Sequence, residues 1–140
     1  SLIDSTAVWF ACDVGEEHYR DSGLLAVGIY DYETFLGMPF ALSKADRITY
    51  RDSYPNHAMV LLGADTAANG RPQKWLIENS WGQKKGDKGY WHMYDNWFDE
   101  YVYVAVIEKR LLTDGDRAKW EQDPVILPTW DPFYKALKKL

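Results

Sequence analysis

The chain has 140 residues, 46% hydrophobic and 16% aromatic, and carries a formal charge of −5 from 16 Lys and Arg against 21 Asp and Glu. That size and apolar content suit one domain able to bury roughly two-thirds of its unfolded surface, and they exclude a disordered chain. The acidic balance argues against nucleic acid as the main ligand, because counterion release needs clustered cations, and the lone Cys12 excludes an internal disulfide framework.

Ser1 precedes a strand-like run by only a few residues and no initiator Met is present, so the sequence reads as a truncated or cleaved piece of a longer protein. Ala7 to Val14 (AVWFACDV) is that run, apolar and rich in Val and aromatics, and reads as a buried strand. Gly15 to Gly23 is charged and loop-like, with His18 expected in solvent. Tyr32 to Leu36 and Leu42 to Arg47 can each hold a short helical turn. His57 to Gly63 (HAMVLLG), Lys74 to Asn79 (KWLIEN), Tyr90 to Tyr94 (YWHMY) and Tyr101 to Glu108 (YVYVAVIE) are of strand length and end at turn-forming residues. Asn69-Gly70 lies between the first two and predicts an antiparallel hairpin. His92, alternating with Trp91 and Met93, belongs on the outer face of its strand. Asp95 before NWFDEY predicts a capped helical turn. From Thr113 the chain is polar and then interrupted at Asp123-Pro124, Leu127-Pro128 and Asp131-Pro132, which favours an extended arm over a helix. The reading therefore divides into a β-rich domain over 1–112 and an arm over 113–140. Lys135, Lys138 and Lys139 read as a solvated basic tail.

No apolar run reaches a membrane span and no signal peptide opens the chain, so no membrane is expected and cytoplasm is the default compartment. No His/Cys cluster has metal-ligand spacing and no phosphate loop follows a strand, so no cofactor is expected.

His57 opens one strand of the predicted hairpin and Asn79 closes the other, which puts them side by side at one rim of the sheet. An amide oxygen beside an imidazole can accept its ring N–H and set which nitrogen faces outward. Trp81 can cover that hydrogen bond. Taken alone, a histidine at a strand start more often serves structure than chemistry, and Asn-Ser-Trp-Gly is a turn.

The surrounding words carry more. Asn56-His57-Ala58-Met59 with Gly63 resembles the histidine segment of papain-like cysteine peptidases. Trp75 to Gly82 (WLIENSWG) with Gly86-Asp87-Lys88-Gly89-Tyr90 resembles their asparagine segment. Val8 to Gly15, Ser43 to Arg47, Trp97 to Val102 and Leu127 to Pro132 are similar to the bleomycin hydrolase and aminopeptidase C family, so the resemblance covers nearly the whole chain.

This resemblance implies an α+β papain-like fold, here its antiparallel half-barrel sheet domain with short helices and an extended C-terminal arm. It implies a cytoplasmic cysteine aminopeptidase acting on peptides, often a homo-hexamer, with His57 and Asn79 catalytic and Trp81 supporting them. The nucleophilic cysteine is then expected on an N-terminal domain of the same polypeptide, outside this chain, as is the oxyanion hole. A chain so placed is expected to be inactive alone. Cys12 does not fit as nucleophile: it sits in an apolar strand beside Asp13, Glu16 and Glu17, where a thiolate is disfavoured. The resemblance also implies that the arm lies along the cleft, with Trp130 anchoring it and the terminal carboxylate, here on Leu140, meeting the substrate's amino group. The ending Phe133 to Leu140 is bulkier and more cationic than the family's usual finish, which leaves a cysteine endopeptidase open. A non-catalytic interaction domain is the alternative of another class, and the intact His57, Asn79 and Trp81 weigh against it.

Overall fold

A computed structural model describes residues 2, 5–39 and 42–138. The described residues form an α+β fold built on one curled, half-barrel sheet with short helices around it. Its strands are β1 (Val8–Cys12), β2 (His18–Tyr19), β3 (Leu24–Leu25), β4 (His57–Thr66), β5 (Pro72–Glu78), β6 (Tyr90–Tyr94) and β7 (Val102–Val106), in the order β2-β3-β6-β5-β4-β1-β7. Every pairing is antiparallel except β3 with β6, which runs parallel.

Period-two alternation in each long strand sends one set of side chains inward. Val8, Phe10 and Cys12 of β1, Met59 and Leu61 of β4, Ile77 of β5, and Trp91 and Met93 of β6 make the buried face, closed by Trp97 and Tyr101. His92 lies on the opposite, outer row and is half-buried, as expected from its alternation with Trp91 and Met93. The β4–β5 hairpin turns where Asn69-Gly70 predicts it. Gly70 takes φ +79°, its N–H donates to the Ala67 carbonyl, and Asn69 Oδ1 accepts from the Arg71 N–H.

Helices α1 (Tyr32–Leu36), α2 (Lys44–Tyr50) and α3 (Asp95–Tyr101) stand where short helical turns are expected, α2 running one residue triplet past Arg47. Ser43 caps α2 by accepting from the Asp46 N–H. Asp95 does not cap α3: Tyr94 holds that position without a side-chain bond, and Asp95 Oδ1 instead accepts from the Trp75 indole at 3.0 Å. Arg47 ties α2 to α3 through an ion pair with Glu100 at 2.6 Å and lies over the Tyr101 ring.

Two differences from the sequence reading concern loops. His18 is not fully solvated: it starts β2, hydrogen-bonds to the Gly15 carbonyl through Nδ1, and stacks at 6.4 Å on Trp91. The arm is not extended throughout, since it carries α4 (Asp114–Trp120) and α5 (Pro132–Leu137). Thr113 accepts from the Asp116 N–H and starts α4. Asp131 accepts from the Phe133 and Tyr134 N–H groups, and Pro132 sits at the first helical position, where its missing N–H costs nothing. The Asp-Pro pair thus starts a helix here. Between the helices residues 121–130 are exposed and irregular. No helix among the described residues is long and apolar enough to cross a membrane.

Candidate active site

The register of the sheet builds the site. Val60 pairs with Glu78 and Leu61 with Ile77, so continuing the ladder past its last pair sets His57 across from Trp81 and diagonal to Asn79. All three fall on the buried-face row, at the end of the hairpin away from its turn. The side chains meet as that register requires. His57 Nε2 lies 2.8 Å from Asn79 Oδ1, and the His57 and Trp81 rings are 4.9 Å apart, tilted by 36°.

Each member is held from behind. The Asn79 N–H donates to the Gly89 carbonyl at 3.1 Å, which closes the loop from Asn79 to Gly89 on itself. Trp81 packs edge-on against the fully buried Trp91 at 5.2 Å, and the Arg20 guanidinium covers it at 4.7 Å. Gly86 is required at the base of this loop: it takes φ +64°, and a Cβ there would meet the Tyr90 carbonyl oxygen and the Trp91 ring below 3 Å. Asn79 is buried (6% exposed) and His57 half-buried. Their hydrogen bond is therefore partly shielded from water while the imidazole keeps an outward edge. With Asn79 Oδ1 as acceptor, Nε2 carries the ring proton and Nδ1 is the basic nitrogen.

Cys12 is cross-strand from His57, and its thiol donates to the His57 carbonyl oxygen at 3.7 Å. It is fully buried, and that burial, with Asp13 next to it, pushes the thiol pKa well above its ordinary value. A thiol so placed is not a nucleophile at neutral pH. Iodoacetamide should accordingly modify Cys12 in the folded 140-residue chain at least about 100-fold more slowly than after unfolding in guanidinium, because reaction must wait for local opening. Mass spectrometry over time reads this directly, and equal rates in the two states would contradict the burial.

Helix α5 packs on α2, with Ala136 buried, and a crevice between α5 and the segment after α2 is lined by Arg51, Ser53, Tyr54, Pro132, Lys135 and Ala136. That brings α5 to the segment immediately before His57. Trp130, however, is 69% exposed and is not gathered into the His57–Asn79–Trp81 group. Leu140 lies outside the described residues. Sequence reasoning missed Arg20, whose place over Trp81 depends on the short β2–β3 excursion. It also missed the polar residues Asp13, Ser53 and Asn56 behind His57, for which the only signal was an Asp embedded in an apolar strand. No group of three or more His, Cys, Asp or Glu residues positioned to hold a metal ion occurs among the described residues.

Comparison with known proteins places the chain in a family. Residues 1–134 match the model of the Peptidase C1-like family. The chain is 48% identical over 126 residues to aminopeptidase C of Lactococcus lactis subsp. lactis (strain IL1403), covering 90% of this chain and 29% of that protein. It is 41% identical over 136 residues to human bleomycin hydrolase, covering 95% of this chain and 30% of that protein. The crystal structure of PepW from Lactobacillus rhamnosis HN001 superposes with a TM-score of 0.83 at 40% identity, covering 94% of this chain and 30% of that one. The chain thus spans about 30% of the length of the relatives it matches. The sheet, the motif order and these relatives agree: the chain belongs to the Peptidase C1-like family of cysteine peptidases.

Proposed function

We propose that this chain is the histidine–asparagine part of a cysteine aminopeptidase, and that a cysteine elsewhere in the same polypeptide supplies the nucleophile. The observation that carries the reading is the 2.8 Å contact from His57 Nε2 to Asn79 Oδ1 under the Trp81 ring. It leaves His57 Nδ1 oriented outward as a base.

In the assembled enzyme His57 Nδ1 takes the thiol proton, giving a thiolate–imidazolium pair. The thiolate adds to the peptide carbonyl carbon. As the C–N bond breaks, the imidazolium returns its proton to the leaving amine and an acyl-thioester remains. His57 then takes a proton from water, hydroxide displaces the thiolate, and the acid product leaves. Asn79 holds the ring in one orientation through both halves, and Trp81 keeps water from competing for the Asn79 oxygen. Peptides are the substrates, a homo-oligomer is the assembly and cytoplasm the compartment on this reading. A chain with a base and no thiolate would be inactive alone. A purely non-catalytic domain is disfavoured by the intact His57–Asn79–Trp81 arrangement.

Exopeptidase action would depend on the arm, because a terminal carboxylate near the cleft can hold a substrate ammonium that an internal peptide lacks. The docking of α5 beside residues 51–54 is consistent with an arm that ends near the site. The experiment compares full-length protein with a deletion of Phe133 to Leu140, on free and N-acetylated peptides. The intact enzyme should favour the free peptide and the deletion should remove that preference. Equal cleavage of both peptides by the intact enzyme would replace this reading with an endopeptidase, which the cationic Lys135 and Lys138 near the arm's end also suit.

A further inference from the structure

His57 begins β4, but the residues that deliver it, Ser53 to Asn56, belong to no helix or strand. Something other than a ladder must fix them, and one buried carboxylate does most of it. Asp13 follows the last residue of β1 and is 4% exposed. Its Oδ1 accepts from Asn56 Nδ2 at 2.5 Å. Its Oδ2 accepts from the Ser53 hydroxyl at 2.7 Å and from the Tyr54 N–H at 3.4 Å. The carboxylate therefore holds Ser53, Tyr54 and Asn56, and Pro55 between them has no N–H to offer and is itself buried.

The segment is tied at further points. The Asn56 N–H donates to the Cys12 carbonyl at 2.9 Å, and Asn56 Oδ1 accepts from the Val14 N–H at 3.0 Å. Asp13 is anchored by its own N–H to the Tyr101 carbonyl at 3.0 Å. Because the Ser53 hydroxyl proton goes to the carboxylate, the Tyr103 hydroxyl, 2.7 Å away, donates to Ser53 Oγ. Only an acceptor with both oxygens available suits this set: three donors converge on one side chain from a loop 40 to 43 positions away in sequence. The loop that it fixes ends at His57, whose ring must stay within hydrogen-bonding distance of Asn79.

We propose that Asp13 is a positioning residue for His57, setting the imidazole's place in the site through Ser53, Tyr54 and Asn56 without touching substrate. The inference rests on the peptidase reading of His57 for its effect on rate, but not for its effect on ring geometry. Asp13→Asn keeps the shape and one acceptor oxygen while turning the other into a donor facing the Ser53 hydroxyl and the Tyr54 N–H.

The test uses the full-length protein, wild type and Asp13→Asn, with two readouts taken well below the melting temperature. The first is steady-state peptide hydrolysis. A displaced base should lower kcat by about 10- to 100-fold, since ångström-scale misplacement costs that much, and leave KM within about twofold. The second is the His57 Nε2–H resonance in 15N-histidine-labelled protein, assigned by its loss in His57→Gln. Weakening of the Asn79 contact should shift it or lose it to solvent exchange. A lower melting temperature with kcat and the resonance both unchanged would mean that Asp13 serves stability alone, and would overturn the proposal. If Asp13→Asn does not fold, Ser53→Ala removes a single bond to the carboxylate. It should lower kcat severalfold with the resonance displaced, and an unaltered Ser53→Ala would likewise overturn the proposal. If wild-type protein has no thiol-dependent peptidase activity, the peptidase reading fails, and the resonance arm alone decides on Asp13.

Discussion

His57→Ala in the full-length protein is expected to lower kcat/KM for peptide hydrolysis by roughly 10³- to 10⁶-fold, with little change in the thermal unfolding of the protein. The size follows from the way such groups act as a unit: without the imidazole the thiol is neither deprotonated nor able to expel an amine, and losing the base costs about as much as losing the whole set. The small stability effect follows from position, because His57 is at the rim of the sheet and half-buried, so truncation opens no enclosed cavity. Asn79→Ala should be the milder change, on the order of 10²-fold, since the base remains and only its orientation loosens. The ordering of the two variants therefore checks the division of roles as well as the assignment. Comparable activity in wild type and His57→Ala, measured with the same preparation of folded protein, would end the catalytic assignment of this histidine.

Trp91→Ala should give the largest loss of stability, about 3–5 kcal/mol, a large share of the 5–15 kcal/mol that holds a typical domain. Trp91 is fully buried and is among the largest side chains in the core. It carries Trp81 on its edge, His18 on its face and the Gly86 backbone against its ring. A hole there cannot collapse easily, because the Gly86 turn and the β5–β6 ladder bracket it on both sides. Trp91→Phe is the useful companion. It keeps an aromatic ring and removes an indole N–H that has no partner among the described residues, so its cost should fall well below that of alanine. Urea unfolding of the 140-residue chain, followed by far-ultraviolet circular dichroism, reads both. A loss under about 1 kcal/mol for Trp91→Ala would mean that the core can repack around the site without this ring.

The site was legible in the sequence to the extent that short-range signals define it. Asn69-Gly70 sets a hairpin, strand alternation sets which residues face inward, and together they bring His57, Asn79 and Trp81 to one rim, where the register places them. Cys12 was legible for the same reason, since an apolar strand beside carboxylates predicts a buried, inert thiol. Helix α5 was misread because Asp131-Pro132 is ambiguous: the same pair that stops one helix caps and begins another. Helix α4 was passed over because its residues are polar and the Thr113 cap that starts it went unread.

Composition, alternation and turn chemistry thus determined the β-rich fold class, the hairpin and the identity of its rim residues, all from interactions between neighbours in sequence. Only the tertiary structure decided the rest. The parallel pairing of β3 with β6 needs Gly23 and Gly86 backbones in close approach across the molecule. The place of Arg20 over Trp81 depends on that same excursion of the chain. The convergence of Ser53, Tyr54 and Asn56 on Asp13 depends on β1 lying beside β4. A buried carboxylate is stable only where distant donors have been brought to it, and no local pattern records which donors those will be.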